Sequence, residues 1–330
     1  MSHRVVLIRG DGIGPEVVSA AITVLEATGV AFSFSDAEAG WDCFQRRGTA
    51  LPEETLAAVR QAGAALFGAV SSPLERVDGY QSPIVALRRQ LDLYANLRPV
   101  LSMPISTSRP GIDLLIVREN SEGLYSGRER REGDTAIAER VITRRGSERI
   151  VRVACEQALR RRRKLTIVHK ANVLRESDGL FREVAFAVAA GYPDLSVEEM
   201  LVDTTAMRLV QNPERFDVLV TTNLFGDILS DEAAALVGGL GIAPSANLGE
   251  RLGVFEPVHG SAPKYAGKDV ANPTAAILSA AMMLDFLGEA DAAERVRRAV
   301  VATLSDGVLT RDMGGSAGTS AVKQAIVQRL

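Results

Sequence analysis

Short apolar runs alternate with longer segments of helical periodicity along the chain. Periodic apolar positions predict helices, among them Pro15 to about Thr28 and Glu53–Ala62. Pro15 suits a first helical turn, since its missing N–H would be unpaired there. Clusters of β-branched and apolar residues predict strands at Arg4–Arg9, Ala64–Val70, Asp113–Arg118, Leu165–His169, Val197–Asp203 and Phe216–Thr222. This alternation of strands and helices predicts an α/β fold with a largely parallel sheet.

One segment departs from this pattern. Leu124 to Arg145 is rich in Arg and Glu, and Ala136–Thr143 has the alternation of hairpin-like strands. Such a segment is too polar for a core, so we expect an arm that pairs with another subunit. Pro and Ser cluster at Pro99–Pro110, which is the best candidate for a domain boundary.

Composition narrows the class of protein. The 330 residues suffice for two domains, and the formal net charge of −3 argues against a nucleic-acid surface. The basic run Arg160–Lys164 is expected to form a solvated helix end. Cys43 and Cys155 have no metal-ligand spacing, and a disulfide between them is not expected. The apolar run Val5–Ile8 is too short for a signal peptide and no stretch could span a bilayer, so we expect a soluble cytoplasmic protein with no membrane partner.

The glycine-rich segment Gly10-Asp-Gly-Ile-Gly-Pro15 lacks the spacing of a Rossmann fingerprint. In G-x-G-x-x-G the third glycine would fall at Pro15. A tight turn before a helix explains these glycines equally well. A dinucleotide would therefore have to be held in another way.

The segment Asn223–Glu232 is the strongest candidate for a metal site. Asp227 and Asp231 lie four residues apart on a predicted helix and so share one face, with Ile228, Leu229 and Ala233 on the core side. Asp203 is expected to end a strand. Three carboxylates at strand ends and helix starts suit Mg²⁺ or Mn²⁺. The spacing equally allows acidic residues that only interact favourably with the first helical turns.

Further polar residues stand at the ends of predicted strands. Guanidinium groups suit carboxylates, although each arginine could instead form an ordinary surface ion pair. Lys170 follows a strand at its carboxyl end, where ligand crevices of α/β sheets lie. His259 lies in a Gly/Ser/Pro loop that could cradle a phosphate, whereas Tyr125 alone is equally consistent with packing. The arginines are Arg88, Arg98 and Arg118.

Taken together, these motifs resemble the β-decarboxylating dehydrogenases, which act on isocitrate, isopropylmalate, tartrate and homoisocitrate. The resemblance covers nearly the whole chain. It rests on Gly10-Asp-Gly-Ile-Gly-Pro-Glu16, Asn96-Leu-Arg98-Pro99, Val117-Arg-Glu-Asn-Ser-Glu-Gly-Leu-Tyr125, His169-Lys170-Ala-Asn172, Asn223-Leu-Phe-Gly-Asp227-Ile-Leu-Ser-Asp231, Glu256-Pro-Val-His259-Gly-Ser-Ala-Pro263 and Asn272-Pro-Thr274.

The resemblance implies an isopropylmalate/isocitrate dehydrogenase-like fold without a Rossmann fingerprint, with two α/β domains around a cleft. A large domain on the cofactor side is expected from residues 1–99 plus 253–330, and a small domain from 100–252, with the dimer arm near 124–145. The active site would be completed by the neighbouring subunit of a homodimer. Whether dimers pair into tetramers stays open.

The resemblance also implies roles for individual residues. Asp227 and Asp231 would bind the metal, Mg²⁺ or Mn²⁺, together with Asp203 of the neighbouring subunit. Lys170 and Asn172 would also come from the neighbouring subunit. Lys170 would assist deprotonation of the 2-hydroxyl, and Tyr125 would protonate the enol carbon after CO₂ is lost. The substrate contacts implied are Ser82, Val85, Arg88, Arg98, Arg118, Tyr125, Lys170 and Asn172. The cofactor contacts implied are Glu256, His259, Gly260, Ser261, Ala262, Lys264, Tyr265 and Asn272.

The segment before Arg88 is expected to choose the acid. Ser82, Ile84 and Val85 lie about one helical turn before Arg88 and should face the third substituent of the substrate. The run Gly79–Asn96 is most similar to homoisocitrate dehydrogenases of the aminoadipate route to lysine. Isocitrate, alone or as a second substrate, is the main alternative, followed by isopropylmalate and tartrate.

The cofactor and the enzyme class each leave an alternative. Lys264 stands where NAD-specific relatives usually carry an acidic residue, and a lysine would attract the 2′-phosphate of NADP. Homoisocitrate dehydrogenases generally use NAD, so both cofactors are expected to work; Lys264 could also be an ordinary exposed loop residue. A non-catalytic regulatory subunit is the rival class, and the retained Tyr125, Lys170 and acidic residues argue against it.

Overall fold

The first apolar run forms a buried strand, as its pattern predicts. In the computed structural model, which describes Ser2–Leu330, the chain passes through alternating strands and helices. The predicted helix Glu53–Ala62 has the same bounds in the structure, and Pro15 lies in the first turn of the helix Gly14–Ala27. The N-terminal elements are β1 (His3–Gly10), α1 (Gly14–Ala27), β2 (Phe32–Ala37), α2 (Trp41–Arg47), α3 (Glu53–Ala62), β3 (Ala64–Ala69) and α4 (Pro83–Gln90).

The middle of the chain continues the alternation. Its elements are β4 (Ala95–Leu101), β5 (Asp113–Glu119), β6 (Glu129–Glu132), β7 (Thr135–Ala138), α5 (Arg144–Leu159), β8 (Lys164–His169), α6 (Ser177–Ala189), β9 (Ser196–Leu201), α7 (Val202–Gln211), β10 (Val218–Thr221) and α8 (Asn223–Val237). The C-terminal elements are β11 (Pro244–Leu248), β12 (Gly253–Pro257), α9 (Thr274–Phe286), α10 (Ala290–Ser305) and α11 (Thr319–Val327).

The chain forms two compact units. Unit 1 comprises Met1–Leu93, Met103–Arg109 and Gly238–Leu330, and unit 2 comprises Tyr94–Ser102 and Pro110–Val237. These limits differ from the expected 99/100 and 252/253 boundaries. β4 pairs antiparallel with β5 and so belongs to unit 2, whereas β11 pairs antiparallel with β12 and so belongs to unit 1. The chain also crosses between units within the predicted boundary segment Pro99–Pro110.

Each unit is built on its own run of strands, and together these confirm the α/β class. In unit 1 the order is β2-β1-β3-β12-β11, in which β1, β2, β3 and β12 run parallel. In unit 2 the order is β4-β5-β10-β8-β9, in which all but β4 run parallel. Because parallel strands present their carboxyl ends at one edge, residues that follow β5, β8 and β10 come close together in unit 2.

Helices cover both sets of strands with apolar side chains. In unit 1, α3 packs on β1 and β3, and Val6, Leu56 and Phe67 lie in the same buried cluster. In unit 2, α5 packs on β5, β8 and β10. Its apolar residues Ile150, Val151 and Ala154, at helical spacing, are fully buried. No helix within Ser2–Leu330 combines the length and apolar character that crossing a bilayer requires.

Two local predictions differ from the structure, one of them only in part. β9 ends at Leu201, so Asp203 lies in the first turn of α7 and not at a strand end. The hairpin consists of β6 and β7, so it begins before the predicted Ala136–Thr143 and overlaps it only at Ala136–Ala138. Thr143 is instead the N-cap of α5, and its hydroxyl accepts from Gly146 N. The basic run Arg160–Lys164 follows the end of α5 and is mostly exposed, as expected, and within it Arg161 Nε donates to Asp217 Oδ1 at 2.8 Å.

Two further expectations concern the cysteines, which were expected to form no disulfide, and the hairpin, which was expected to form a dimer arm. Cys43 and Cys155 are buried free thiols, so the prediction of no disulfide is confirmed. Burial raises the pKa of the Cys155 thiol to about 11. The β6–β7 hairpin is exposed over most of its length. Its role as a dimer arm stays a prediction.

Candidate functional site

Helix α8 presents Asp227 and Asp231 one turn apart on the same face, as predicted. Leu229 and Ala233 are buried on the opposite side, but Ile228 is 57% exposed and does not belong to the core side as expected. Gly226 is required at its position, because a Cβ there would lie 2.6 Å from Arg118 Cγ. The first turn of α8 therefore packs directly on the side chain of Arg118.

Arg118 lies at the carboxyl end of β5 and is only 1% exposed. Its Nε and Nη2 donate to Asn223 Oδ1 at 3.0 and 2.8 Å, and its Nη1 donates to Asp227 Oδ1. The hydroxyl of Tyr125 donates to the other oxygen of Asp227 at 2.5 Å. The Arg118 guanidinium also lies 5.1 Å from the centre of the Tyr125 ring. Arg118, Tyr125 and Asp227 thus form one contiguous group.

Arg98 completes this group from strand β4. Its Nε donates to Asn96 Oδ1 at 2.7 Å, and its Nη1 donates to Asp231 Oδ1 at 3.4 Å. Its Nη2 lies 3.8 Å from Asp227 Oδ1. Two of the three arginines predicted to bind substrate carboxylates therefore converge on the two acidic residues predicted to bind metal. The alternative, an ordinary surface ion pair, does not apply to either arginine, since both guanidinium groups are buried.

Burial and neighbouring charges change the acidity of this group. Desolvation, followed by the hydrogen bond to the Asp227 carboxylate, raises the pKa of the Tyr125 hydroxyl above its usual value. Tyr125 therefore keeps its proton at neutral pH and can donate it. Desolvation also raises the pKa of Asp231, with Arg98 acting in the opposite direction and Asp227 adding to the rise.

The donor set of α8 fits a hard divalent cation. Asp227 and Asp231 offer carboxylate oxygens one helical turn apart, and the Asp231 side chain is 51% exposed. Mg²⁺ is commonly held by one or two carboxylates, with waters and substrate oxygens completing the octahedron. Within Ser2–Leu330 no cluster of three or more His, Cys, Asp or Glu side chains has the arrangement of a metal site, so one chain does not gather all three predicted ligands.

Asp203, the third predicted ligand, lies instead beside Lys170. The Lys170 ammonium donates to Asp203 Oδ1 at 2.5 Å, and this hydrogen bond holds the pKa of the Asp203 carboxyl below its usual value. Asn172 is exposed in the turn that follows Lys170. Lys170 follows β8 at its carboxyl end, as predicted.

The third arginine, Arg88, belongs to unit 1. It is buried on α4, where its Nε donates to Asn247 Oδ1 at 3.0 Å and its Nη2 donates to Glu256 Oε1 at 3.1 Å. Glu256, predicted to contact the cofactor, is thus ion-paired with a residue predicted to contact the substrate. Ser82 is the N-cap residue of α4, and Val85 is half-buried one turn before Arg88. Ile84 is half-buried and packs against the unit 1 core, and its expected contact with the substrate stays a prediction.

The predicted cofactor loop packs against the glycine-rich turn after β1. Ile13 N donates to Ser261 O at 2.8 Å, and a Cβ on Gly12 would lie 2.0 Å from that oxygen. Ser261 Oγ lies 2.7 Å from Ser71 Oγ. The glycine-rich segment is therefore a turn in which the missing Cβ of Gly12 leaves room for the loop at Ser261. This role agrees with the prediction that the segment is not a Rossmann fingerprint. Ala262 adopts a left-handed backbone, with φ of +38°.

The remaining predicted cofactor residues lie on the C-terminal part of unit 1. His259 Nδ1 lies 3.1 Å from Gly260 O, its Nε2 is buried without a partner, and burial lowers its pKa. Asn272 is held at both ends, with Nδ2 donating to Asp312 Oδ2 and Oδ1 accepting from Thr274 N, both at 3.0 Å. Lys264 is exposed, with its ammonium 4.8 Å from the centre of the Tyr265 ring.

Several contributors were missed from sequence. Asn223 binds Arg118 and stands one turn before Asp227, so helical spacing could have revealed it. No sequence pattern pointed to Asn247 and Asp312, because they are distant in sequence from Arg88 and Asn272 and contact them only in the folded chain. Unit 1 also contains a cavity of about 410 Å³ at the ends of β1 and β2, which includes none of the predicted site residues.

Comparison with known proteins identifies the class that this arrangement defines. A family model described as isocitrate/isopropylmalate dehydrogenase matches residues 4–326, and the chain belongs to that family. An isocitrate/homoisocitrate dehydrogenase of Thermus thermophilus is 58% identical over 331 residues, covering 100% of this chain and 99% of that protein. A 3-isopropylmalate dehydrogenase of Methanothermobacter thermautotrophicus is 49% identical over 331 residues, covering 100% and 99%.

The solved structures agree with this membership. The crystal structure of isocitrate dehydrogenase from Methylococcus capsulatus matches with a TM-score of 0.95 and 46% identity, covering 99% of each chain. The resemblance inferred from the sequence motifs and the expected α/β fold are both confirmed. The protein is a β-decarboxylating dehydrogenase of this family. The names of these relatives include three different acids, so they do not identify the substrate of this chain.

Proposed function

We propose that this enzyme oxidises and decarboxylates homoisocitrate to 2-oxoadipate, with NAD or NADP as hydride acceptor and Mg²⁺ or Mn²⁺ as the metal. The reaction would serve lysine biosynthesis through aminoadipate, in the cytoplasm. The name of the Thermus thermophilus relative includes homoisocitrate and isocitrate. Isocitrate is therefore the second candidate.

The start of helix α4 is the feature that favours a tricarboxylate as the substrate. Ser82 stands at the N-cap, where backbone N–H groups and the helix dipole favour an anionic group. Val85, one turn on, is small enough to leave space for a chain longer than that of isocitrate. An isopropyl group would gain nothing from this polar helix start. These features favour a third carboxylate at the position where isopropylmalate has its alkyl group.

Unit 2 supplies the groups for the common part of the reaction. Buried Arg98 and Arg118 would bind the carboxylates of the acid in charge-assisted, bidentate contacts. Asp227 and Asp231, with Asp203 of a neighbouring subunit, would hold the cation, which when bound would acidify the 2-hydroxyl and stabilise developing negative charge. Lys170 of that neighbouring subunit would accept the hydroxyl proton. Tyr125, whose hydroxyl keeps its proton, would deliver it to the enol carbon.

Unit 1 would supply the cofactor contacts. The loop Glu256–Tyr265 and Asn272 would hold the adenosine half, and Lys264 would attract the 2′-phosphate of NADP. Its exposure leaves the ammonium accessible, while its position over Tyr265 limits its freedom. We propose that both cofactors are accepted.

A panel of acids tests the substrate. We expect kcat/KM to fall in the order homoisocitrate, isocitrate, 3-isopropylmalate, with tartrate lowest, when each is assayed with NAD and with NADP in the presence of Mg²⁺. Faster turnover of 3-isopropylmalate than of both tricarboxylates would contradict the proposal. A purified chain that is inert with every acid, yet stimulates a second subunit, would instead identify a regulatory subunit.

A further inference from the structure

A buried ion pair lies beside the proposed catalytic residues of unit 2 without belonging to them. Asp178, in the first turn of α6, has a side chain with no solvent exposure. Its Oδ2 accepts from the backbone N–H of Lys170 at 2.6 Å, and its Oδ1 accepts from Nη1 of Arg140. Asp178 N also donates to Leu174 O at 2.9 Å, which closes the turn between Lys170 and α6. The backbone of Lys170 is therefore fixed by a buried carboxylate.

The other side of Arg140 reaches the start of helix α8. Its Nη2 donates to Thr222 Oγ1 at 2.7 Å, and its guanidinium lies 4.8 Å from the centre of the Phe225 ring. Thr222 directly precedes α8, and its carbonyl accepts from Gly226 N at 2.9 Å. One guanidinium group thus joins the turn that carries Lys170 to the first turn of the helix that carries Asp227.

The segment around Arg140 also supports Tyr125. Val141 and Gly123 exchange backbone hydrogen bonds of 2.8 and 3.3 Å. Gly123 precedes the 3-10 helix Leu124–Ser126, which contains Tyr125. The Lys170 turn, the segment that contains Tyr125 and the start of α8 are therefore all held by the short stretch Arg140–Val141 and by the ion pair between Arg140 and Asp178.

We infer that Asp178 and Arg140 are positioning residues, which hold Lys170 and the start of α8 in one fixed arrangement. This inference rests on the roles proposed for Asp227 in the chain's own site and for Lys170 in the site of the neighbouring subunit. A fully satisfied buried network specifies one arrangement of its members. Arginine is needed because its planar fork bonds Asp178 and Thr222 at the same time, which a single ammonium group does not reproduce.

The test is Asp178→Asn in the full-length enzyme. The amide removes the charge and has one acceptor oxygen where the carboxylate has two. It can therefore no longer accept from both Arg140 and the Lys170 N–H, and Arg140 loses its carboxylate partner. We expect kcat to fall roughly 10- to 100-fold, because small misplacements of reacting groups cost this much. KM for the acid should stay within about threefold, since Asp178 does not hold the arginines that are proposed to bind the carboxylates of the acid. The loss should be the same for every acid that the enzyme turns over.

Asp217→Asn is the matched control. Asp217 is also buried, and it accepts from Nε of Arg161 at 2.8 Å and from the backbone N–H of Lys164 at 3.2 Å. It lies at the amino ends of β8 and β10, whereas Asp178 lies at the carboxyl end of β8. We expect Asp217→Asn to lower the melting temperature but to leave kcat within about twofold of wild type.

Arg140→Lys keeps a positive charge beside Asp178 and serves if Asp178→Asn does not fold. We expect it to lose kcat in the same direction, because one ammonium cannot also hold Thr222. Wild-type kcat in either folded variant, or an equal loss in Asp217→Asn, would overturn the inference. Lys170→Met separates the two proposals. If it retains turnover, the proposed role of Lys170 fails, whereas if it is inactive and Asp178→Asn is fully active, only the positioning role fails.

Discussion

At the scale of single residues, the Asp227 carboxylate is the point where three functions meet. It accepts from Arg118 and from Tyr125, and it is a proposed metal ligand. Binding of a cation at Asp227 would compete with both donors, and so would free Arg118 for a substrate carboxylate and the Tyr125 hydroxyl for the reacting carbon. Asp231, more exposed and bonded only weakly to Arg98 at 3.4 Å, has less competition for a cation.

Removing the Asp231 charge tests the metal site. We expect Asp231→Asn to raise the Mn²⁺ concentration for half-maximal activity by roughly tenfold or more, because a neutral amide is a poorer ligand for a hard cation. The measurement is activity against Mn²⁺ concentration at saturating substrate. Glu232→Gln, the next residue on α8, is the control and should leave the Mn²⁺ requirement unchanged. Equal behaviour of both variants would argue against Asp231 as a ligand.

Removing the Tyr125 hydroxyl tests the proton donor. Tyr125→Phe should leave reduced cofactor formation in a single turnover near wild type while lowering steady-state kcat about 100-fold, since a general acid contributes about that much. Rapid-mixing absorbance and steady-state assays separate the two steps. Tyr192→Phe, on the surface side of unit 2, is the control. Normal steady-state turnover in Tyr125→Phe would show that the assigned role is wrong.

At the scale of elements, the sequence patterns gave the correct positions of those helices and strands whose apolar residues form a clear periodic or continuous pattern. Helix α8 and strand β5 were located correctly, because the buried residues of α8 follow helical spacing and β5 is a short apolar run that is buried almost throughout. The hairpin β6–β7 was misplaced, since an exposed segment has no buried face to fix its register. Asp203 was assigned to a strand end because the apolar run continues through Val202, whereas the chain turns into α7 at that residue.

The stability of the folded protein at low pH depends in part on a contact between helix α6 and strand β9. Arg182 on α6 forms a bidentate contact with Glu199 on β9, and this holds the pKa of Glu199 at about 2, with His169 contributing less. A carboxyl whose pKa is depressed by folding stabilises the folded state above its unfolded pKa. That stabilisation is lost as the pH falls from about 4.5 toward about 2.

Glu199→Gln tests this contact. Because the Glu199 side chain is 37% exposed, we expect the variant to lose only about 0.5–1 kcal/mol of unfolding free energy at pH 7. The difference from wild type should vanish near pH 2, as measured by urea unfolding across the pH range. Glu183→Gln is the control, because Glu183 lies on α6, as Arg182 does, and forms an exposed ion pair with Arg144. A difference that persists at pH 2 would mean that packing, and not charge, is responsible.

At the scale of the whole molecule, one chain does not assemble the three predicted metal ligands. Asp227 and Asp231 form one group, while Asp203 is paired with Lys170. Our proposal that a neighbouring subunit supplies Asp203 and Lys170 accounts for this separation. It makes catalysis a property of the homodimer, because each site would need both subunits.

Mixing two inactive variants tests this arrangement. Asp203→Asn and Asp227→Asn should each be inactive alone. After unfolding and refolding together in equal amounts, half of the dimers would be mixed and each would contain one intact site of two, so about a quarter of wild-type activity should return. Wild type refolded in the same way is the control. No recovery, with mixed dimers detected by mass, would argue against shared sites.

The sequence by itself determined the α/β class, the buried strands, the spacing of Asp227 and Asp231, and the ordered motifs that reveal the family. These follow from periodicity and short-range spacing, which a linear chain expresses directly. Only the tertiary structure decided that Arg88 pairs with Glu256, that Ile84 packs into the core, and that Arg140 joins Asp178 to Thr222. Those contacts join residues that the pattern leaves independent, since burial and hydrogen bonding between distant segments are settled only when the strands pair.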